Sequence, residues 1–195
     1  MNFLAHVYLS GNDLELAMGN LIADRIKGNR LWQCSAKIQE GILLHRAIDL
    51  YTDAHPNFKQ CAKKLFATHR HYGRVLVDMF FDHFLAKNWN DYHAETLSEF
   101  SERFYVYLKE NQKQLPADCQ SLVKHLMAQN WFGAYESLDG LEKILRQMER
   151  RTQFESNLAS GRLVLSENYS FFESQFKSFF SDITSNFNLV SKCID

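Results

Sequence analysis

The chain has 195 residues, a hydrophobic content of 46% and a formal net charge of −1. This length suits one domain, and the balanced charge does not point to nucleic acid. No apolar run is long enough for a membrane span or organised as a signal peptide. Four widely spaced cysteines without a Cys-x-x-Cys pair (Cys34, Cys61, Cys119, Cys193) indicate free thiols in a reducing compartment. We therefore expect a single cytoplasmic domain over residues 1–195.

Helical periodicity dominates the first half of the chain. Asp13 can cap a helix that carries apolar residues at i, i+3, i+4 and i+7 and ends near Lys27-Gly28. A second helix is predicted from about Ser35 to Tyr51, and a third from about Asn57 to Thr68. A fourth, from about Arg74 to Trp89, is apolar nearly all round, which is typical of a helix at the centre of a bundle.

The second half continues the pattern. Thr96 and Glu99 form a capping box for a helix that ends before Pro116, and Pro116 suits the first turn of the next, to about Asn130. Another amphipathic helix covers about 138–148, and a last long helix starts near Ser166. No strand alternation or internal repeat is present in the sequence. The sequence predicts an all-α, single-domain helical bundle.

Two pairs of polar residues interrupt apolar helix faces at i, i+4 spacing. His45 and Asp49 lie on the buried arc of the second helix, and Asp53 extends their line. A single His–Asp pair of this kind, taken alone, favours a structural hydrogen bond. Asp78 and Asp82 repeat the pattern on the fourth helix, where two carboxylates on one buried stripe repel each other unless a proton or cation intervenes. Together the stripes favour a metal site between facing helices over a structural role.

Three further residues are weaker candidates. His6 could be a hydrogen-bonded core histidine, and Asp24 could pair with Arg25 or a neighbouring helix. Arg46 follows His45 and could either bind a phosphate through its planar guanidinium or reach solvent.

The segment 54–77 contains no acidic residue. It could be a solvated helix face or a docking surface for an anionic partner, and neither reading is preferred. The cations that would serve in docking are Lys59, Lys63, Lys64, Arg70 and Arg74.

Four ordered blocks in residues 1–90 resemble one known family. They are Asn2-Phe3-Leu4-Ala5-His6, Gly19-Asn20-Leu21-Ile22-Ala23-Asp24, His45-Arg46-x-x-Asp49 with Thr52-Asp53, and Asp82-His83-Phe84-Leu85. They look like acyl carrier protein phosphodiesterases, and this part of the chain is expected to bear the site. No Glu-x-x-His, His-Glu-x-x-His, Gly-x-Ser-x-Gly or phosphate-loop motif competes with this resemblance.

The resemblance implies an activity and a partner. Such enzymes hydrolyse the phosphodiester that joins 4′-phosphopantetheine to a serine of holo-acyl carrier protein, which is strongly acidic. The family is regarded as a divergent, manganese-requiring branch of the HD-domain phosphohydrolases. This chain lacks the adjacent His-Asp pair that names that superfamily, and has His45-Arg46 and the reversed Asp82-His83 instead.

The convergence of pattern and resemblance gives a site hypothesis. Asp24, His45 and Asp82 hold a divalent ion, Mn²⁺ or else Mg²⁺ or another metal, and His6 or Asp49 completes the ligand set.

The remaining residues receive supporting roles in the same hypothesis. His83 or Asp78 acts as base or orients a ligand, and Arg46 neutralises the phosphate. Two alternatives remain open: an HD-like phosphohydrolase of nucleotides or other small phosphodiesters, and a non-catalytic helical binding module. The oligomeric state is left undetermined, and no nucleic acid or membrane partner is expected.

Overall fold

The structure is a computed structural model, and it describes residues 2–152 and 156–187. All of its regular secondary structure in these ranges is helical, so the all-α prediction is confirmed. The α-helices are α1 (Phe3–Tyr8), α2 (Leu14–Ile22), α3 (Ala36–Ala54), α4 (Pro56–His69), α5 (Tyr72–Lys87), α6 (Leu97–Asn111), α7 (Ala117–Ala128), α8 (Trp131–Ala134), α9 (Leu138–Glu149), α10 (Gly161–Glu167) and α11 (Tyr169–Asn186). Short 3₁₀ turns lie at Ala23–Arg25, Gly28–Gln33, Trp89–Asp91, Gln112–Gln114 and Leu158–Ser160.

Helix starts follow the capping residues of the sequence. The side chain of Asp13 accepts hydrogen bonds from backbone N–H groups in the first turn of α2, and Ser35 does the same for α3. Thr96 and Glu99 form the predicted capping box at α6. The last helix, which the sequence predicts to start near Ser166, is α11 and starts at Tyr169; the short helix α10 before it was not predicted.

Helix α5 is the centre of the bundle, as its composition predicts. It packs against α1, α4, α9 and α11. Phe81 and Phe84 are fully buried and contact Phe176 of α11, with ring centroids 5.6 and 5.8 Å apart. An aromatic layer of this kind holds α5 and α11 together. None of the described helices is both long and apolar enough to cross a membrane.

Two glycines let α2 and α3 approach each other closely. A Cβ at Gly19 would lie 2.3 Å from the carbonyl oxygen of Ile38, and one at Gly41 would lie 2.1 Å from that of Leu16. Any larger residue at either position would have to separate the helices. This close contact brings the polar residue of α2, Asn20, against the polar stripe of α3.

Candidate metal centre

Four predicted site residues meet where α1, α2 and α3 converge. His6 comes from α1, His45 and Asp49 from α3, and Asp24 from the 3₁₀ turn after α2. The Nε2 atom of His45 lies 3.0 Å from one Asp49 oxygen and 3.4 Å from Asp24. The Nε2 atom of His6 lies 3.2 Å from the other Asp49 oxygen. The two imidazole rings stack with centroids 4.0 Å apart.

The buried side chain of Asn20 orients both imidazoles. Its amide NH₂ donates to the backbone carbonyl of His6 at 2.8 Å and to the hydroxyl of Ser10 at 3.0 Å. The amide oxygen therefore faces the rings, where it lies 2.9 Å from Nδ1 of His6 and 3.2 Å from Nδ1 of His45. The backbone carbonyl of Asn20 also lies 2.9 Å from Nδ1 of His45. Since these oxygens only accept, both Nδ1 atoms carry a proton.

This arrangement turns both Nε2 atoms toward carboxylates. Burial lowers the pKa of His6 to about 4 in spite of the neighbouring Asp49, so His6 is neutral at pH 7. A neutral imidazole that is protonated at Nδ1 presents a lone pair at Nε2. That lone pair faces an Asp49 oxygen at 3.2 Å, and two electron-rich atoms at this distance need a cation or a proton between them.

His45 behaves differently because it contacts two carboxylates. Burial opposes its protonation, but the hydrogen bonds to Asp24 and Asp49 outweigh burial and raise the pKa of His45 to about 9. The hydrogen bond from His45 lowers the pKa of Asp24. Burial also opposes ionisation of Asp49, but its contacts with His45 and His6 lower its pKa well below the usual range. The cluster is built to hold positive charge between its carboxylates.

The donor set fits a divalent metal. One ligand atom each from His6, His45 and Asp49 lies within 4.8 Å of the others, which is the spacing of donors around one ion. Two imidazoles held by outer hydrogen bonds and a carboxylate are typical ligands of transition metals. Asp24 contacts the same His45 nitrogen, and its side chain is 78% exposed, so the cluster opens to solvent on that side.

Asp82 and His83, which the sequence hypothesis places in the site, make their hydrogen bonds to groups that are not part of this cluster. The Asp82 carboxylate is fully buried and accepts hydrogen bonds from the backbone N–H groups of Leu4 at 2.8 Å and Ala5 at 3.3 Å, at the start of α1. The N-terminus of α1, which carries partial positive charge, therefore stabilises this carboxylate in place of a metal ion.

His83 points to another part of the bundle. Its Nδ1 lies 2.7 Å from the backbone carbonyl of Tyr135, and its Nε2 lies 3.0 Å from the hydroxyl of Tyr169. Both ring nitrogens are therefore occupied away from the cluster.

The other predicted residues lie on α3 and α5. Asp78 is half-buried on α5, and burial raises its pKa, with smaller contributions from the charges of Asp49 and Asp53. Asp53 extends the line of Asp49 as predicted, but it forms an ion pair with Arg74. Arg46 is exposed on α3.

The predicted docking cations do not share one face. Lys59, Lys63 and Arg70 are exposed at positions of α4 and its end that follow one helical line. Lys64 lies on another side of α4, with its ammonium 4.9 Å from the ring centroid of Phe171. Arg74 is engaged with Asp53 and lies 5.1 Å from the ring centroid of Phe58.

Asn20 contacts both histidines of the cluster, and the site hypothesis does not include it. It is fully buried on α2, between the buried residues Met18 and Leu21. A buried amide in an apolar stretch needs hydrogen-bond partners, and this was a usable signal in the sequence. Nothing local, however, identifies histidines 14 and 25 residues away as those partners.

Comparisons with known proteins agree with the resemblance found in the motifs. A family model described as "Acyl carrier protein phosphodiesterase" matches residues 1–183. The acyl carrier protein phosphodiesterase of Photorhabdus laumondii is 32% identical over 182 residues, which cover 92% of this chain and 91% of its own. That of Yersinia pestis is 30% identical over 181 residues, which cover 92% and 94%. No solved structure matches the chain.

Proposed function

Because the chain belongs to the acyl carrier protein phosphodiesterase family, we propose that it hydrolyses the phosphodiester between 4′-phosphopantetheine and a serine of holo-acyl carrier protein, releasing apo-carrier. The observation that supports this most directly is the open cluster of His6, His45 and Asp49, whose imidazoles are oriented by Asn20. Nε2 donors beside carboxylates suit phosphoester hydrolysis with a divalent ion, and we take Mn²⁺ as the first ion to test because the family resemblance implies it.

The ligand set follows from the contacts. His6, His45 and Asp49 would hold the ion, and the exposed carboxylate of Asp24 would complete the set. A divalent ion bound there would lower the pKa of a water molecule and withdraw charge from a phosphate oxygen. Asp82 is not included, because its carboxylate oxygens are used by the N–H groups of α1.

The chain's own residues would orient and neutralise the substrate. Asn20 keeps both Nε2 atoms directed at the cluster with the Nδ1 atoms protonated, so that an ion would only have to displace the Nε2 proton that His45 shares with Asp24 and Asp49. Arg46 adjoins His45 on α3 and would contact an anionic phosphate oxygen. Asp78, with its pKa raised by burial, would be the proton-transfer group in place of His83.

The basic line on α4 would guide an acidic carrier toward the site. Lys59, Lys63 and Arg70 are exposed on it, and complementary charge mainly accelerates association. Charge reversal at Lys63 and Arg70 should therefore raise KM for the carrier and weaken the rise of KM with salt that an attractive contact produces, whereas Lys143→Glu, at another exposed lysine on α9, should change neither.

The decisive experiment measures the mass of the carrier protein. Holo-acyl carrier protein is incubated with the enzyme and Mn²⁺, and intact mass spectrometry should show loss of the phosphopantetheine mass. His45→Ala and Asp49→Ala should lose at least a hundredfold in rate while remaining folded. His55→Gln is the matched control, because His55 also pairs with an aspartate, Asp182, at 3.3 Å but outside the cluster.

Two outcomes would contradict the proposal. A carrier that stays unchanged with Mn²⁺, Mg²⁺ and other divalent metals would exclude the activity. Turnover of a nucleotide or another small phosphodiester, without turnover of the carrier, would instead favour the small-substrate phosphohydrolase. Full activity of the His45 and Asp49 variants would show that the metal cluster takes no part in the reaction.

A further inference from the structure

The outer face of α3 exposes two large apolar side chains. Leu43 is 53% exposed and Leu50 is 74% exposed, and the exposed Ala47 lies between them. These positions are related by i, i+4 and i+7, so they form one stripe along the helix. We call Leu43, Ala47 and Leu50 the α3 stripe. An exposed apolar stripe on a surface helix is typical of a contact with another protein.

The α3 stripe borders the metal cluster. With about 100° per residue, Arg46 comes roughly 60° round the helix from Asp49, and Leu50 roughly 40° further. Asp49 is 45% exposed, so it lies at the boundary between the buried and the outer face. The order round the helix is therefore cluster, Arg46, apolar stripe.

The acidic residues beside the α3 stripe are neutralised. Glu40 accepts a hydrogen bond from Lys37 at 2.7 Å, and Asp53 is paired with Arg74. Among the described residues of α3, an acidic protein approaching this face would thus meet no uncompensated carboxylate outside the cluster itself.

The proposed hydrolysis requires that the surface of the carrier protein come against the edge of the metal cluster. The bond to be cleaved joins the phosphate to a serine oxygen, which is only two bonds from the carrier backbone. For that phosphate to reach Asp49 and His45, the carrier surface around the serine must come against the rim of the cluster. A small phosphodiester would not need such a contact. On α3, the rim consists of Arg46 and the α3 stripe.

We propose that the α3 stripe is the surface against which the carrier protein packs the apolar side chains next to its modified serine. This inference rests on the proposed function and adds to it the place of docking beside the scissile bond. Burial of Leu43 and Leu50 would hold the carrier, while the cluster acts on the phosphate.

The test is steady-state kinetics on holo-carrier with Mn²⁺. The double variant Leu43→Ser/Leu50→Ser should raise KM at least tenfold and leave kcat within twofold, because both side chains are outside the cluster. Leu163→Ser is the matched control, since Leu163 is 59% exposed on α10, and its KM should not change. An unchanged Mn²⁺ affinity in the double variant would show that the cluster is intact.

Each other outcome has a distinct meaning. If the wild-type enzyme cleaves holo-carrier and the double variant keeps its KM within twofold, the α3 stripe is not the docking surface. If light scattering shows a wild-type dimer that the double substitution converts to monomer with unchanged KM, the stripe joins two copies of this chain, and the proposal is wrong. If the wild-type enzyme leaves the carrier intact, the proposed function fails and this inference with it.

Discussion

At the scale of single residues, Asn20 sets the orientation of the two imidazoles in the cluster. Its amide oxygen lies within hydrogen-bond distance of Nδ1 of His6 and of His45, and so leaves both Nε2 atoms directed at Asp49. Without that oxygen, the buried Nδ1–H of His6 would lose the partner that fixes its tautomer. An outer hydrogen bond of this kind typically contributes ten- to hundredfold to metal affinity.

Replacement of Asn20 by leucine should therefore weaken Mn²⁺ binding by roughly ten- to hundredfold. The effect should not be larger, because the backbone carbonyl of residue 20 still accepts from His45. Free Mn²⁺ measured by electron paramagnetic resonance gives the affinity. Ser10→Ala is the control, since Ser10 contacts only the NH₂ side of the amide, and unchanged affinity in a folded Asn20→Leu variant would contradict this role.

At the scale of elements, the contact between α2 and α3 builds the site. Gly19 and Gly41 allow the backbones to touch, and this places Asn20 beside His45. Helix α3 extends to Ala54, beyond the predicted end near Tyr51, so Asp53 continues the line of His45 and Asp49. The capping residues set where the helices begin, but the glycines set how close they come.

Gly41→Ala should destabilise the protein, although alanine is the better helix former. In a free helix the change would stabilise by up to about 1 kcal/mol. Here the new Cβ would lie 2.1 Å from the Leu16 carbonyl oxygen, and we expect a net loss of about 1–3 kcal/mol with weaker Mn²⁺ binding. Urea unfolding measures the first and metal titration the second.

The control for this prediction lies on the same helix. Ala47→Gly at an exposed position should cost up to about 1 kcal/mol through helix propensity alone and leave the Mn²⁺ affinity unchanged. A Gly41→Ala variant that is more stable than the wild type would show that the helices can separate without cost.

At the scale of the whole molecule, Asp82 ties the start of the chain to the central helix. Its carboxylate on α5 receives the N–H groups of Leu4 and Ala5, which begin the helix that carries His6. Burial raises the pKa of this carboxyl from 3.8 to about 7, even though those N–H groups favour the ionised form. The folded protein thus takes up a proton here that the unfolded chain has already lost.

The stability of the metal-free protein should fall as the pH rises, because the pKa of Asp82 is higher in the folded protein than in the unfolded chain. The contribution of Asp82 is fully present below about pH 4 and is lost as the pH rises through about 7, at most about 4 kcal/mol in total. Asp82→Asn keeps an acceptor for the Leu4 N–H but cannot ionise, so the fall between pH 4 and 7 should be smaller in this variant. Urea unfolding in the presence of EDTA across that range compares the two proteins, and parallel curves would refute the assignment.

The sequence by itself determined the features that local physics encodes. Apolar periodicity and capping residues gave the helices, and the i, i+4 spacing correctly put His45 and Asp49 on one face, because both depend only on neighbours within a few turns. Motif resemblance added His6 and Asp24, and the family comparison agrees with it over residues 1–183.

Only the tertiary structure decided which polar stripes meet. Helical phase shows that Asp82 is buried, but it does not show whether its partner is a cation or the end of another helix. In the fold, Asp82 accepts hydrogen bonds from N–H groups of α1, and His83 contacts the Tyr135 carbonyl and the Tyr169 hydroxyl. Asn20 lies against His6 and His45. These contacts join residues distant in sequence, and they depend on packing geometry that no local pattern specifies.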